Sequence, residues 1–76
     1  MGRLLRFSGR DVRRILEQNG FALSRQKGSH MVMQRTKSEG GTITVPVPDH
    51  RELKTGTLLG IVEQRQLPRA LFEAEE

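Results

Sequence analysis

Phe21-Ala22-Leu23-Ser24-Arg25-Gln26-Lys27-Gly28-Ser29-His30-Met31-Val32-Met33-Gln34 is the stretch on which the fold turns. Residues 21–25 read as a half-buried strand, Gln26 to Ser29 carry turn chemistry, and residues 30–35 resume an extended run. Two strands this close predict a hairpin, and a hairpin predicts an antiparallel sheet. In the second strand Met31, Val32 and Met33 are apolar on both parities. Periodicity therefore does not say which face His30 shares.

Working outward, Thr36 to Gly41 is a polar loop ending in two glycines. Thr42-Ile43-Thr44-Val45-Pro46-Val47 alternates and is β-branched, which predicts a third strand. Pro46 cannot donate to a ladder, so it places this strand at a sheet edge or ends its pairing. Upstream, Ser8 and Asp11 fit a capping box, and Phe7 is placed to staple onto Val12. Val12, Ile15 and Leu16 recur at helical spacing, with Arg10, Arg13, Arg14 and Glu17 on the other side; Asn19-Gly20 then stops the helix. This predicts a helix over residues 9–18. Downstream, Pro48 to Arg51 is a loop, and Leu58, Ile61 and Val62, flanked by Leu59, predict a second helix over residues 56–65. Leu67-Pro68 breaks it before a short third helix carrying Leu71 and Phe72. Residues 1–6 and 74–76 are expected to fray.

The order is α-β-β-β-α plus a small terminal helix. Helices on one face of a three-stranded antiparallel sheet make a two-layer α+β domain and leave the opposite face for solvent or a partner. At 76 residues this is a single domain with a thin core. The absence of cysteine excludes a disulfide staple and a thiolate zinc site, and fits a reducing compartment. There is no secretory or membrane-spanning apolar run, so the expected setting is cytoplasmic, without membrane attachment.

The net charge of +4 is unevenly spread: residues 1–37 hold nine basic and two acidic groups, residues 38–76 four and seven. A basic half suggests a polyanionic partner bound through phosphates, against the plainer reading of a solubilising surface. Within it, Lys27-Gly28-Ser29-His30 puts cation, glycine, hydroxyl and imidazole together. Histidine is the side chain whose ordinary titration suits proton transfer at neutral pH. The plainer alternative is a satisfied surface or core histidine. Arg25, Lys27, Ser29 and Arg35 favour the functional reading, because phosphodiester chemistry needs cations where charge develops. Gly28 would admit a phosphate close to the backbone, and Ser29 would donate to it. His30, Asp49 and His50 have no ligand spacing such as His-x-x-x-His, so neither a metal nor another cofactor is expected.

Asn19-Gly20-Phe21, Lys27-Gly28-Ser29-His30 and Val45-Pro46-Val47-Pro48-Asp49-His50 follow one another in order. After them come Glu52-Leu53-Lys54-Thr55-Gly56-Thr57-Leu58-Leu59-Gly60-Ile61 and a short helix ending in Phe72. In this order and spacing the chain resembles the HicA family of bacterial toxins, the small ribonuclease partners of HicB antitoxins, over about residues 8–73. The resemblance implies a double-stranded-RNA-binding-like fold and cleavage of mRNA that shuts down translation. It also implies a HicB-like antitoxin covering the active site, with the toxin a monomer when free and part of a hetero-oligomer when bound.

The family's catalytic histidine carries over to His30 as general acid or base, with RNA contacts expected from Arg25, Lys27, Gly28, Ser29 and Arg35. No catalytic role carries over to His50, and the second proton carrier is left open. Pro68 departs from the family's usual helix-capping serine. Two other classes stay open: a non-catalytic RNA-binding module and a protein-interaction domain whose open sheet docks a partner. A neighbouring gene for a HicB-like protein would separate both from the toxin reading.

Overall fold

The computed structural model describes residues 3–4, 7–64 and 67–74. Its elements run β1 (Arg3–Leu4), α1 (Gly9–Gln18), β2 (Ala22–Lys27), β3 (His30–Thr36), β4 (Thr42–Pro48) and α2 (Thr55–Gln64). A 3-10 turn (Arg69–Phe72) and β5 (Glu73–Ala74) follow. The expected α-β-β-β-α order is present, and β2, β3 and β4 form one antiparallel sheet in that order.

α1 begins and ends where its caps dictate. The Asp11 N–H donates to Ser8 Oγ at 3.0 Å and the Ser8 N–H donates to Asp11 Oδ2 at 3.0 Å, closing a reciprocal box. The Ser8 backbone N–H, then the Ser8 hydroxyl, hold the Asp11 carboxyl below its ordinary value of 3.8; desolvation opposes them and the nearby Arg14 guanidinium adds a lesser pull downward. A depressed carboxyl contributes stability at pH values above the unfolded value and loses it as pH falls through the folded one. Asp11→Asn should therefore flatten the acid limb of the stability curve below about pH 4, read by urea melts at stepped pH; an unchanged limb would remove this cap from the account.

One face of the sheet is buried. Met31 and Met33 of β3 lie across from Val47 and Val45 of β4. All four are buried against Val12 and Leu16 of α1 and Leu58 and Val62 of α2. Phe7 packs on this core and meets Phe72 edge-on, ring centroids 5.9 Å apart, a favourable arrangement for the two ring quadrupoles. β4 is an outer strand, which accommodates Pro46 opposite Val32.

Three expectations change. The hairpin turn is only Gly28-Ser29, because Gly28 takes a left-handed φ of +60° and lets β2 run on to Lys27. β2 is not half-buried: all its residues are exposed, and only Phe21, just before it, enters the core. The cause is that β2 is the outer strand on the other side of β3 from β4, so the core closes over β3 and β4. A register shift between Leu23 and Arg25 also inserts a residue there, which moves Arg25 to the face opposite Leu23. Finally, Arg3–Leu4 and Glu73–Ala74 pair as a small antiparallel ribbon, which takes in residues 3, 4 and 74 of the ends expected to fray. The remaining residues of that expectation, and position 65 of the second helix, lie outside the described residues. After Pro68 the chain makes a 3-10 turn that buries Phe72.

Candidate active site at the hairpin turn

Cross-strand partners share a sheet face with Cα atoms about 5 Å apart. Lys27, His30 and Pro48 form one such row, and Arg25, Val32 and Pro46 the next row on the same face. This is the face opposite Met31, Met33, Val45 and Val47, hence the face away from the helices. His30 stands exposed at its turn end, with Lys27 and Arg25 exposed beside it. Neither Lys27 nor Arg25 has an acidic partner among the described residues.

The arginines of α1 are differently placed. With Glu17, Gln26, Met31 and Asp49 they line a shallow groove of about 320 Å³ at the turn end of the helix-side face. Each is taken by an acid: Arg10 Nε to Asp49 Oδ1 at 3.4 Å, Arg13 to Glu17 at 3.4 Å, Arg14 to Asp11 at 3.6 Å. Such exposed pairs stabilise little, but they cancel the local field that a free basic helix would present.

A second wall rises beside the turn. The Asp49 N–H donates to the Ser29 carbonyl at 2.6 Å, joining the end of β4 to the residue before His30. The His50 carbonyl accepts the Gly9 N–H at 2.8 Å, and the Phe7 carbonyl accepts the Leu53 N–H at 2.8 Å. Residues 49–53 are therefore pinned to the N-terminal end of α1 by backbone groups, while the side chains of His50, Arg51 and Lys54 are exposed. Gly9 makes the close approach possible: a Cβ there would overlap the Pro48 carbonyl oxygen and lie 2.9 Å from its carbon.

Of the residues singled out in the sequence, the fold brings Arg25, Lys27, Gly28, Ser29 and His30 together. It does not bring Arg35 to them. Arg35 pairs with Ile43 on the helix side, donates from Nη1 to the Asn19 carbonyl at 3.2 Å, and lies 5.0 Å over the Phe21 ring. There it satisfies the C-terminal end of α1. Asp49 and Gly9, which set the second wall, went unnoticed as site-builders in the sequence; glycine at a first helical position was the one available signal. Among the described residues no three of His, Asp and Glu come together as a cation would require.

The family model described as the HicA toxin of bacterial toxin–antitoxin systems matches residues 9–67, which spans every element from α1 to α2. No curated protein and no solved structure matches the chain.

Proposed function

The chain belongs to the HicA toxin family, and from that premise we propose that it is the ribonuclease of a type II toxin–antitoxin pair. In this reading it cleaves mRNA in the cytoplasm with His30 as general acid or base, needs no metal or other cofactor, and is neutralised by a HicB-like antitoxin. The observation that supports it best is His30, exposed on the open sheet face beside two cations that have no acidic partner among the described residues.

RNA lying on that face would meet Arg25 and Lys27 through its phosphates. Three phenylalanines and no tyrosine or tryptophan leave no stacking platform, so contact through the backbone dominates. Strand cleavage passes through a phosphorane whose charge builds on the non-bridging oxygens. In this reading Lys27, beside His30 across the strands, the Ser29 hydroxyl and the left-handed Gly28 backbone would meet that charge. His30 then moves the proton of the attacking or of the departing oxygen, a contribution of ~10²–10⁴ in rate. Incubating the purified chain with labelled mRNA, with and without chelator, tests the reading. Cleavage in both supports it; tight binding that leaves the RNA intact would make the chain a binding module instead.

Replacing Arg25 and Lys27 together should weaken RNA binding whatever the sequence, and lower the slope of log K against log salt by about 1.4 on single strands, at ~0.7 per phosphate contact. Arg35→Ala should leave affinity alone and instead cost about 1–2 kcal/mol of stability, through the lost helix-end hydrogen bond and cation–π contact. Filter binding across a salt series, beside thermal melts, reads both; an Arg35 effect on affinity as large as that of Arg25 and Lys27 would redraw the RNA path.

The antitoxin should cover the open face and leave the complex inert. Hydrogen exchange in the complex should show new protection over residues 25–35, and an unprotected hairpin would place the antitoxin elsewhere.

A further inference from the structure

Cleavage by a 2′-hydroxyl needs two proton transfers on opposite sides of phosphorus. A base takes the 2′-hydroxyl proton as O2′ bonds to phosphorus, and an acid gives a proton to O5′ as the P–O5′ bond breaks and its electron pair moves to oxygen. The products are a 2′,3′-cyclic phosphate and a 5′-hydroxyl, and no co-reactant is consumed. One imidazole at His30 cannot reach both apical oxygens in a single geometry.

Few groups at this end of the sheet are suited to the second transfer. Lys27, Arg25, Arg51 and Lys54 offer cations suited to holding phosphate charge rather than an imidazole. The Asp49 carboxylate is turned to Arg10 on the α1 side. The chain has two histidines, and the other one is here.

We infer that His50 is the second proton carrier of the site, working opposite His30 on the same scissile phosphate; the inference rests on the ribonuclease reading above. Three placements carry it. Pro48, the cross-strand partner of His30, lies two residues before His50. The intervening Asp49 is hydrogen-bonded through its backbone to Ser29, the residue before His30, at 2.6 Å. His50 is itself held by its carbonyl, at 2.8 Å from the Gly9 N–H, while its exposed imidazole has no hydrogen-bond partner among the described residues. The backbone of this histidine is fixed beside the turn and its side chain is free for a ligand. Such a residue is positioned without being used structurally, and proton transfer depends on that kind of positioning.

The test uses the full chain carrying His50→Gln, which keeps the backbone anchor and a polar side chain but cannot titrate. Its melting temperature and RNA affinity should match the native chain, while cleavage falls ~10²–10⁴-fold. The native pH–rate profile should be a bell, and His30→Ala and His50→Gln should each lose a different limb. A substrate with sulfur in place of the bridging 5′-oxygen, whose leaving group needs no proton, should restore one of the two variants and not the other. Cleavage by His50→Gln at the native rate overturns the inference alone. So do an unchanged pH profile, a loss of cleavage matched by the loss of binding, or sulfur rescue of both variants or of neither. A native chain that leaves all RNA intact overturns the ribonuclease reading first and this inference with it.

Discussion

His30→Ala is expected to give a folded protein that still binds RNA and cleaves it ~10²–10⁴-fold more slowly, the loss typical of a missing general acid or base. The separation of effects follows from where the side chain sits. His30 is exposed at the first position of β3, and the packing of that strand comes from Met31 and Met33 on the other face. Removing the imidazole opens no cavity, so stability should stay within about 1 kcal/mol of native. Affinity should persist because Arg25 and Lys27 supply the attraction to phosphate and are untouched. Single-turnover cleavage, a melt and a binding isotherm on one preparation distinguish the three properties. A folded variant cleaving at the native rate would remove His30 from the chemistry; a variant that fails to bind would make it a contact residue.

What could be read ahead of the structure was local. Ser8 with Asp11 and Asn19 with Gly20 are decisions made within four residues of chain, and α1 spans Gly9–Gln18 as they dictate. The β-branched alternation from Thr42 onward likewise needs no knowledge of its neighbours. The face of His30 was not legible, because Met31, Val32 and Met33 offer apolar groups to both sides. It is decided by the register that puts Met31 and Met33 across from Val47 and Val45, under helices distant in sequence. Arg25 reached the open face only through the irregularity after Leu23, which no composition signals. Arg35 looked like one more cation near the turn. Its role depends on Phe21 and Asn19, fourteen and sixteen residues away, so only the fold could reassign it to the end of α1.

Gly9→Ala is expected to cost about 3 kcal/mol or more, at or beyond the upper end of the range for overpacking a fixed site. The first position of a helix ordinarily accepts alanine with a gain, since alanine has the better helix propensity. Here the added methyl would overlap the Pro48 carbonyl oxygen and lie 3.1 Å from the Asp49 Cα. Both obstacles are backbone, so no rotamer change relieves them. Backing α1 away would stretch the 2.8 Å Gly9 N–H···O=C His50 bond and the Asp49–Ser29 bond beyond it. For a domain of this size 1 kcal/mol moves the melting temperature by ~4–8 °C, so a fall of roughly 12–24 °C is expected. Gly56→Ala is the matched control, a helical glycine of α2 with open space where its Cβ would lie, and it should be neutral or stabilising. Cleavage at a temperature where Gly9→Ala remains folded should also drop, because the displaced segment carries His50 and is tied to the residue before His30. A Gly9→Ala protein that melts within a few degrees of native would mean that the end of β4 yields easily. The wall beside His30 would then be held by the Asp49–Ser29 bond rather than by the start of α1.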